Sequence, residues 1–252
     1  MRVVVCIKQI PDPATPYTLE EGTNWLVRPD EQILDDTDRY GVEMGLQLAS
    51  AVDGTVTLIS MGPAGTGQGV RQALAMGATK AILIEDTRLR GSNALTTARA
   101  LSTAIKAEGF DLVIAGTEST DGYSGVVPQM MAELLDVPAL TYATKVDVSG
   151  SEVVIHRQTS EGYDVVESGL PALVTVTAGV VEPRYPTFKG IMDAKKKPVE
   201  TKTLDDLGFE PGPDQAVTAI TPAPERSGGE KIEDDGEAHL AIVSLLEKRK
   251  VI

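Results

Sequence analysis

The chain has 252 residues, 42% of them hydrophobic, enough for one sizeable α/β core and a further segment that the core does not need. Its formal net charge of −14 leaves no surplus of lysine and arginine to displace counterions from a phosphate backbone, so nucleic acid is not an expected partner. The single cysteine, Cys6, excludes an internal disulfide, the Met1-Arg2-Val3-Val4 start lacks the features of a secretory signal, and no run approaches the ~20 apolar residues that cross a bilayer, so a cytoplasmic protein without membrane insertion is expected.

In chain order, short β-branched runs alternate with longer amphipathic stretches, the pattern of βαβ units around a parallel sheet. Strands are predicted over 2–7, 55–60, 81–85 and 111–115, each apolar enough to be buried on both faces. Helices are predicted over 36–51, 68–76, 92–108 and 122–135, the third opened by Ser92 as N-cap. The fold class is therefore α/β, a doubly wound and mainly parallel sheet. After Pro138 the pattern turns to alternating segments at 141–148, 153–158, 163–168 and 172–177, with Ser149-Gly150 at the first turn, which predicts an antiparallel extension of the sheet. From Lys195 onward charge, Pro and Gly dominate, as at Gly212-Pro213, 222–224 and 227–235, before an apolar-periodic end at 240–246. The division expected is a nucleotide-binding domain over 1–193, extended from about 139, and an arm over 194–252 that clasps another subunit or is disordered.

Open parallel sheets bind ligands beyond the carboxyl ends of their strands, where strand order reverses. Two segments point there. The first strand ends at Cys6-Ile7-Lys8, and the fourth at Ala115-Gly116 before Thr117-Glu118-Ser119-Thr120-Asp121-Gly122-Tyr123-Ser124-Gly125. Glycines and hydroxyls ahead of a helix let backbone N–H groups converge on an anion, aided by the helix dipole. An ordinary Gly-rich turn has the same composition, and this one has no lysine. The stretch Gly62-Pro63-Ala64-Gly65-Thr66-Gly67-Gln68-Gly69 has G-x-G-x-G spacing, which fits neither the dinucleotide fingerprint nor a P-loop, and reads as a flexible turn.

Other chemistry is thin. His156 and His239 have no identifiable nucleophile or acid beside them, and Cys6 in a buried strand reads as a small hydrophobe without accompanying metal ligands, so neither a catalytic residue nor a metal is expected. Asp35-Asp36-Thr37-Asp38 either caps the following helix or binds a ribose. Lys195-Lys196-Lys197 is either a solvated loop or a recognition patch.

Three stretches carry a resemblance that covers nearly the whole chain: Val3-Val4-Val5-Cys6-Ile7-Lys8-Gln9-Ile10-Pro11-Asp12, Ala73-Leu74-Ala75-Met76-Gly77-Ala78, and the run from Glu182-Pro183-Arg184-Tyr185-Pro186-Thr187-Phe188 to Lys197. Together with Ile155, Arg157, Glu161, Gly162, Val166 and Leu170-Pro171-Ala172-Leu173-Val174-Thr175, they are similar to the β subunit of electron-transfer flavoproteins. The resemblance implies a heterodimer with an α subunit that holds a redox FAD, while this chain binds a structural AMP and has no reaction of its own. It implies an AMP pocket of Cys6, Asp35, Asp36, Thr37, Asp38, Met61 and the loop from Gly116 to Val127, including Val126. It implies that Glu182, Arg184, Tyr185 and Phe188 recognise flavin dehydrogenases such as acyl-CoA dehydrogenases, with a quinone-linked oxidoreductase as acceptor. Electron-bifurcating members hold a second FAD in this site, with a loop reading D-G-D-T-A-Q-V-G-P. Here it reads Asp121-Gly122-Tyr123-Ser124-Gly125-Val126-Val127-Pro128, so AMP is the expectation and FAD the alternative. A stand-alone adenine-nucleotide sensor of the universal-stress type shares this sheet architecture and is the reading of a different class.

Overall fold

The computed structural model describes residues 1–62, 67–211, 215–221, 223–224, 228–229, 231–234 and 236–252. They form two units, Met1–Thr218 and Ala219–Ile252, so residues 194–218 belong with the first. The first contains β1 (Arg2–Cys6), β2 (Gln9–Ile10), β3 (Ile33–Leu34), α1 (Asp36–Ser50), β4 (Thr55–Met61), α2 (Gly67–Met76), β5 (Lys80–Ile84), a 3-10 turn (Thr87–Leu89) and α3 (Ala94–Glu108). It continues through β6 (Leu112–Gly116), α4 (Val127–Leu135), β7 (Ala139–Ser149), β8 (Glu152–Gln158), β9 (Tyr163–Gly169), β10 (Ala172–Val176), α5 (Phe188–Ala194), β11 (Val199–Lys202) and α6 (Leu204–Leu207). The second unit holds α7 (Ala238–Lys248), which covers the apolar-periodic end expected at 240–246.

One nine-stranded sheet has the order β11-β5-β4-β1-β6-β10-β7-β8-β9, and β2 and β3 make a separate two-stranded ribbon. The strands from β11 across to β7 are parallel, while β8 and β9 are antiparallel. Alternation along β1 divides the core. Val3 and Val5 join the helices α1 and α2 on one face with Val42, Val70 and Leu74, whereas Val4 joins α3 and α4 on the other with Leu101, Ile105 and Met131. Both faces are covered, so the central strands are mainly apolar, with Thr57 and Ser60 of β4 and Thr175 of β10 buried among them. Helix α1 lies close on the sheet at Gly45, where a Cβ would stand 2.8 Å from a Val5 methyl.

The predicted α/β architecture is the one observed, with differences in detail. The segment around 172–177 does not continue the antiparallel extension. It enters as β10, parallel to both β6 and β7, because Ala-Leu-Val-Thr-Val is buried at all of its positions and belongs in the sheet interior. Ser92 does not cap α3. Its Oγ donates to Leu89 O (2.6 Å), and Asn93, the N-cap, accepts from Thr96 N (2.8 Å). Helix α4 begins at Val127 rather than 122, because Tyr123 and Gly125 take left-handed φ values of 44° and 62°. The ribbon, α5 and the edge strand β11 had no clear periodic signal. Residues 63–66 of the glycine stretch, and 212–214, 222, 225–227, 230 and 235 of the tail, lie outside the described residues. Among the described residues, no helix is long and apolar enough to cross a membrane.

Candidate functional site: a crevice at the sheet switch point

The chain steps from β1 to β4 and β5 on one side, then returns to place β6 on the other. Strand order therefore reverses between β1 and β6, and the connections leaving their carboxyl ends diverge to open a crevice. The end of β1, the start of α1 and the loop after β6 meet there.

Asp35 ties two of these together. As N-cap of α1 it accepts from Thr37 N (3.1 Å) and Thr37 Oγ1 (2.9 Å), and across the crevice it accepts from Thr120 N and Thr120 Oγ1, both at 2.7 Å. The carboxylate is fully buried, and four donors offset its desolvation. Asp36 points away, with an exposed side chain paired to Arg39 at 2.9 Å. Asp38 turns inward and accepts from Lys8 N (2.6 Å), while its Oδ1 would stand 3.1 Å from a Cβ at Gly116. Burial pushes the Asp38 carboxyl well above the carboxylate range, and Asp35 adds to the shift. Burial likewise pushes up the Cys6 thiol, with Asp38 contributing, which favours its neutral form. Met61 ends β4, half-buried, two residues past the Ile59 that pairs with Cys6.

The loop is folded as a tight turn. Ser119 O accepts from Gly122 N (3.3 Å) and Tyr123 N (2.9 Å). Asp121 projects inward with a fully buried side chain, accepting from Lys8 Nζ at 2.7 Å and Arg28 Nη2 at 2.5 Å. Burial alone would raise its carboxyl, but Lys8 and then Arg28 overcome this and hold it below the usual range. Lys8 Nζ also donates to Ser119 Oγ (3.1 Å), and a Cβ at Gly122 would meet that hydroxyl at 3.0 Å. Glu118, Gly122, Tyr123, Ser124 and Val126 are exposed, and Thr117, Gly125 and Val127 are partly so. Val126 makes no side-chain cap on α4; in its first turn Pro128 carries no N–H and Met130 N donates to Val126 O (3.0 Å). Arg28 and the ammonium of Lys8 are site groups that pattern alone did not single out. Lys8 immediately follows a predicted strand end, whereas Arg28 lies in a stretch without periodicity.

The second group of expected residues is separate from this crevice. Glu182 is exposed. Arg184 donates from its backbone N (3.3 Å), Nε (2.6 Å) and Nη2 (2.9 Å) to the buried Glu43 of α1, so it fastens the segment to the core. Tyr185 and Phe188 are 85% and 81% exposed, and Ile191 and Met192 continue the apolar face of α5. Helix α5 starts with Thr187 accepting from Gly190 N (3.0 Å), and it lies so close to α2 that a Cβ on Gly190 would be 2.5 Å from Ala75 O. Arg71 Nη1 to Ala194 O and Lys197 Nζ to Leu74 O, each 2.9 Å, complete the attachment. Of the three consecutive lysines, Lys197 is therefore structural. His156 stacks on Tyr163 between β8 and β9, with centroids 4.2 Å apart, and among the described residues no cluster of metal-ligating side chains occurs.

Comparison with known proteins gives a consistent result. Residues 23–207 match the family described as electron transfer flavoprotein domain. The chain is 40% identical to the electron transfer flavoprotein subunit beta of Mycobacterium bovis, covering 99% of each chain. It is 36% identical to the subunit of that name from Thermoanaerobacterium thermosaccharolyticum, covering 100% of each. It is also 32% identical, over 100% of both chains, to the caffeyl-CoA reductase-Etf complex subunit CarD of Acetobacterium woodii.

Proposed function

The chain belongs to the electron transfer flavoprotein family as a β subunit, and from that premise we propose that it holds a structural AMP in the crevice between β1 and β6. Its α partner carries the FAD that accepts and passes on electrons. The observation that carries this reading is the loop at the switch point, pinned at Thr120 and Asp121 while Gly122, Tyr123, Ser124 and Val126 stay exposed and Gly125 partly so. Such a loop presents backbone N–H groups to a phosphate without needing side chains from Gly122 or Gly125. Among the described residues of the crevice, burial favours the neutral Cys6 thiol, and Asp35 and Asp121 are engaged by donors. The chain contributes binding and recognition, and the redox chemistry resides on the partner's flavin.

For recognition, the exposed Tyr185 and Phe188 provide the aromatic anchor that docks flavin dehydrogenases of the acyl-CoA dehydrogenase type, with Glu182 beside them. Arg184 supports this face from behind. A quinone-linked oxidoreductase is the acceptor in this reading.

Nucleotide extraction from the purified two-subunit protein tests the assignment by counting AMP and FAD. One AMP and one FAD per dimer are expected. Two FAD per dimer would replace AMP with a second flavin in the same crevice, the alternative reading of this site. A stable monomer that binds ATP without a partner would instead support a free-standing sensor.

A further inference from the structure

Between β2 and β3 the chain makes an excursion whose centre is a small hairpin. Val27 N donates to Thr18 O (2.9 Å), Glu20 N to Trp25 O (2.8 Å), and Leu19 bridges Leu26. Gly22 and Asn24, with φ of 88° and 58°, turn its tip. The hairpin is anchored at Trp25, whose ring occupies the space beside Gly91: a Cβ there would lie 2.3 Å from the indole. The Arg90 guanidinium covers the ring at 5.6 Å and pairs with Glu20, and Asn24 Nδ2 donates to Val217 O at 3.1 Å. Three residues beyond the anchor the chain delivers Arg28 to Asp121.

We propose that this hairpin is a clasp on the nucleotide loop, and that Arg28 is the positioning residue through which it acts. The proposal rests on the crevice being the nucleotide site. Asp121 is buried, and a buried carboxylate that loses one of two cations must recover hydration or move. Its neighbour Thr120 is already pinned by Asp35 from α1. Consecutive loop residues are thus held from different parts of the chain, which sets the direction of the following amides before a ligand arrives. Loss of Arg28 removes the hold that comes from outside the βαβ core. Arg28 does not need to touch the ligand, since its guanidinium is committed to Asp121 and to Gln32 Oε1 at 3.4 Å.

The test compares wild type, Arg28→Gln and Arg28→Lys in the two-subunit complex stripped of nucleotide. Hydrogen exchange of the 117–126 amides is measured first, then AMP binding by calorimetry. Arg28→Gln is expected to accelerate exchange in this loop and to raise the AMP Kd ~10-fold or more, with Arg28→Lys recovering most of both. Loop exchange unchanged in Arg28→Gln overturns the clasp whether or not AMP binds. Equal losses in both variants, with a matching fall in melting temperature, also overturn it by reducing Arg28 to a stability role. Wild type that fails to bind AMP sinks the nucleotide assignment instead, while the exchange measurement still decides the clasp. Gly91→Ala, which displaces Trp25 without altering the loop, is expected to raise loop exchange as Arg28→Gln does, and unchanged exchange there would remove Trp25 as the anchor.

Discussion

The aspartates of the crevice differ in what their burial does. Asp38 has a raised pKa, so its contribution to stability is full below the ordinary carboxylate value of ~3.9 and is lost as pH rises through the folded value. Asp38→Asn keeps an acceptor for Lys8 N and removes the charge, and it is expected to gain on wild type with rising pH in denaturant titrations of the complex. A constant difference across the range would show that Asp38 stays ionised. Asp121 has the opposite sign. Its pKa is depressed, so its stabilisation is present above ~3.9 and disappears as pH falls through the lower folded value. Asp121→Asn leaves Lys8 and Arg28 facing a neutral amide and is expected to destabilise by about 3 kcal/mol at neutral pH, with the deficit shrinking on acidification. The sequence placed both aspartates at the crevice, but nothing in Asp-Asp-Thr-Asp distinguishes the cap Asp35 from the exposed Asp36 or the inward Asp38. That depends on which residue follows the first helical turn and on what the loop after β6 offers in return.

At the scale of elements, α5 is presented as a rigid platform. It is held by a close glycine contact on α2, by Arg71 and Lys197 on the ends of both helices, and by the Arg184–Glu43 pair. Gly190→Ala would drive a methyl into Ala75 O, and overpacking of this kind costs about 1–3 kcal/mol. The expected result is slower electron transfer from dehydrogenases with nucleotide content unchanged, measured by stopped flow and extraction. Phe188→Ala is expected to slow the same transfer while leaving dimer, AMP and melting temperature intact, because the side chain buries almost nothing within this chain. Unaltered kinetics would remove Phe188 from recognition. The βαβ elements were legible because their periodicities are strong and their burial is local to one helix and its strands. The boundary at Val127 was not, since left-handed Tyr123 is stabilised by Ser119 O and the turn around it rather than by its own type.

For the whole molecule, the sheet and both of its hydrophobic cores lie within Met1–Thr218, while α7 in the second unit buries none of its residues and exposes Leu240, Ile242 and Leu245. Such a helix gains stability only when its apolar face is covered. Removing residues 219–252 is therefore expected to preserve the fold of the remainder by circular dichroism and to abolish co-purification with the α subunit; retained association would relieve this segment of the clasping role. The amino-acid sequence by itself determined the α/β class, the placement of the crevice at the ends of β1 and β6, and the family, because these follow from hydrophobic period and from contiguous motifs. Only the tertiary structure decided that β10 is inserted between β6 and β7, that Arg184 pairs with Glu43, and that Arg28 reaches Asp121 across 93 positions of the chain. Each of these depends on contacts between distant segments. A side chain's own type cannot show which remote partner will meet its charge once water has been excluded.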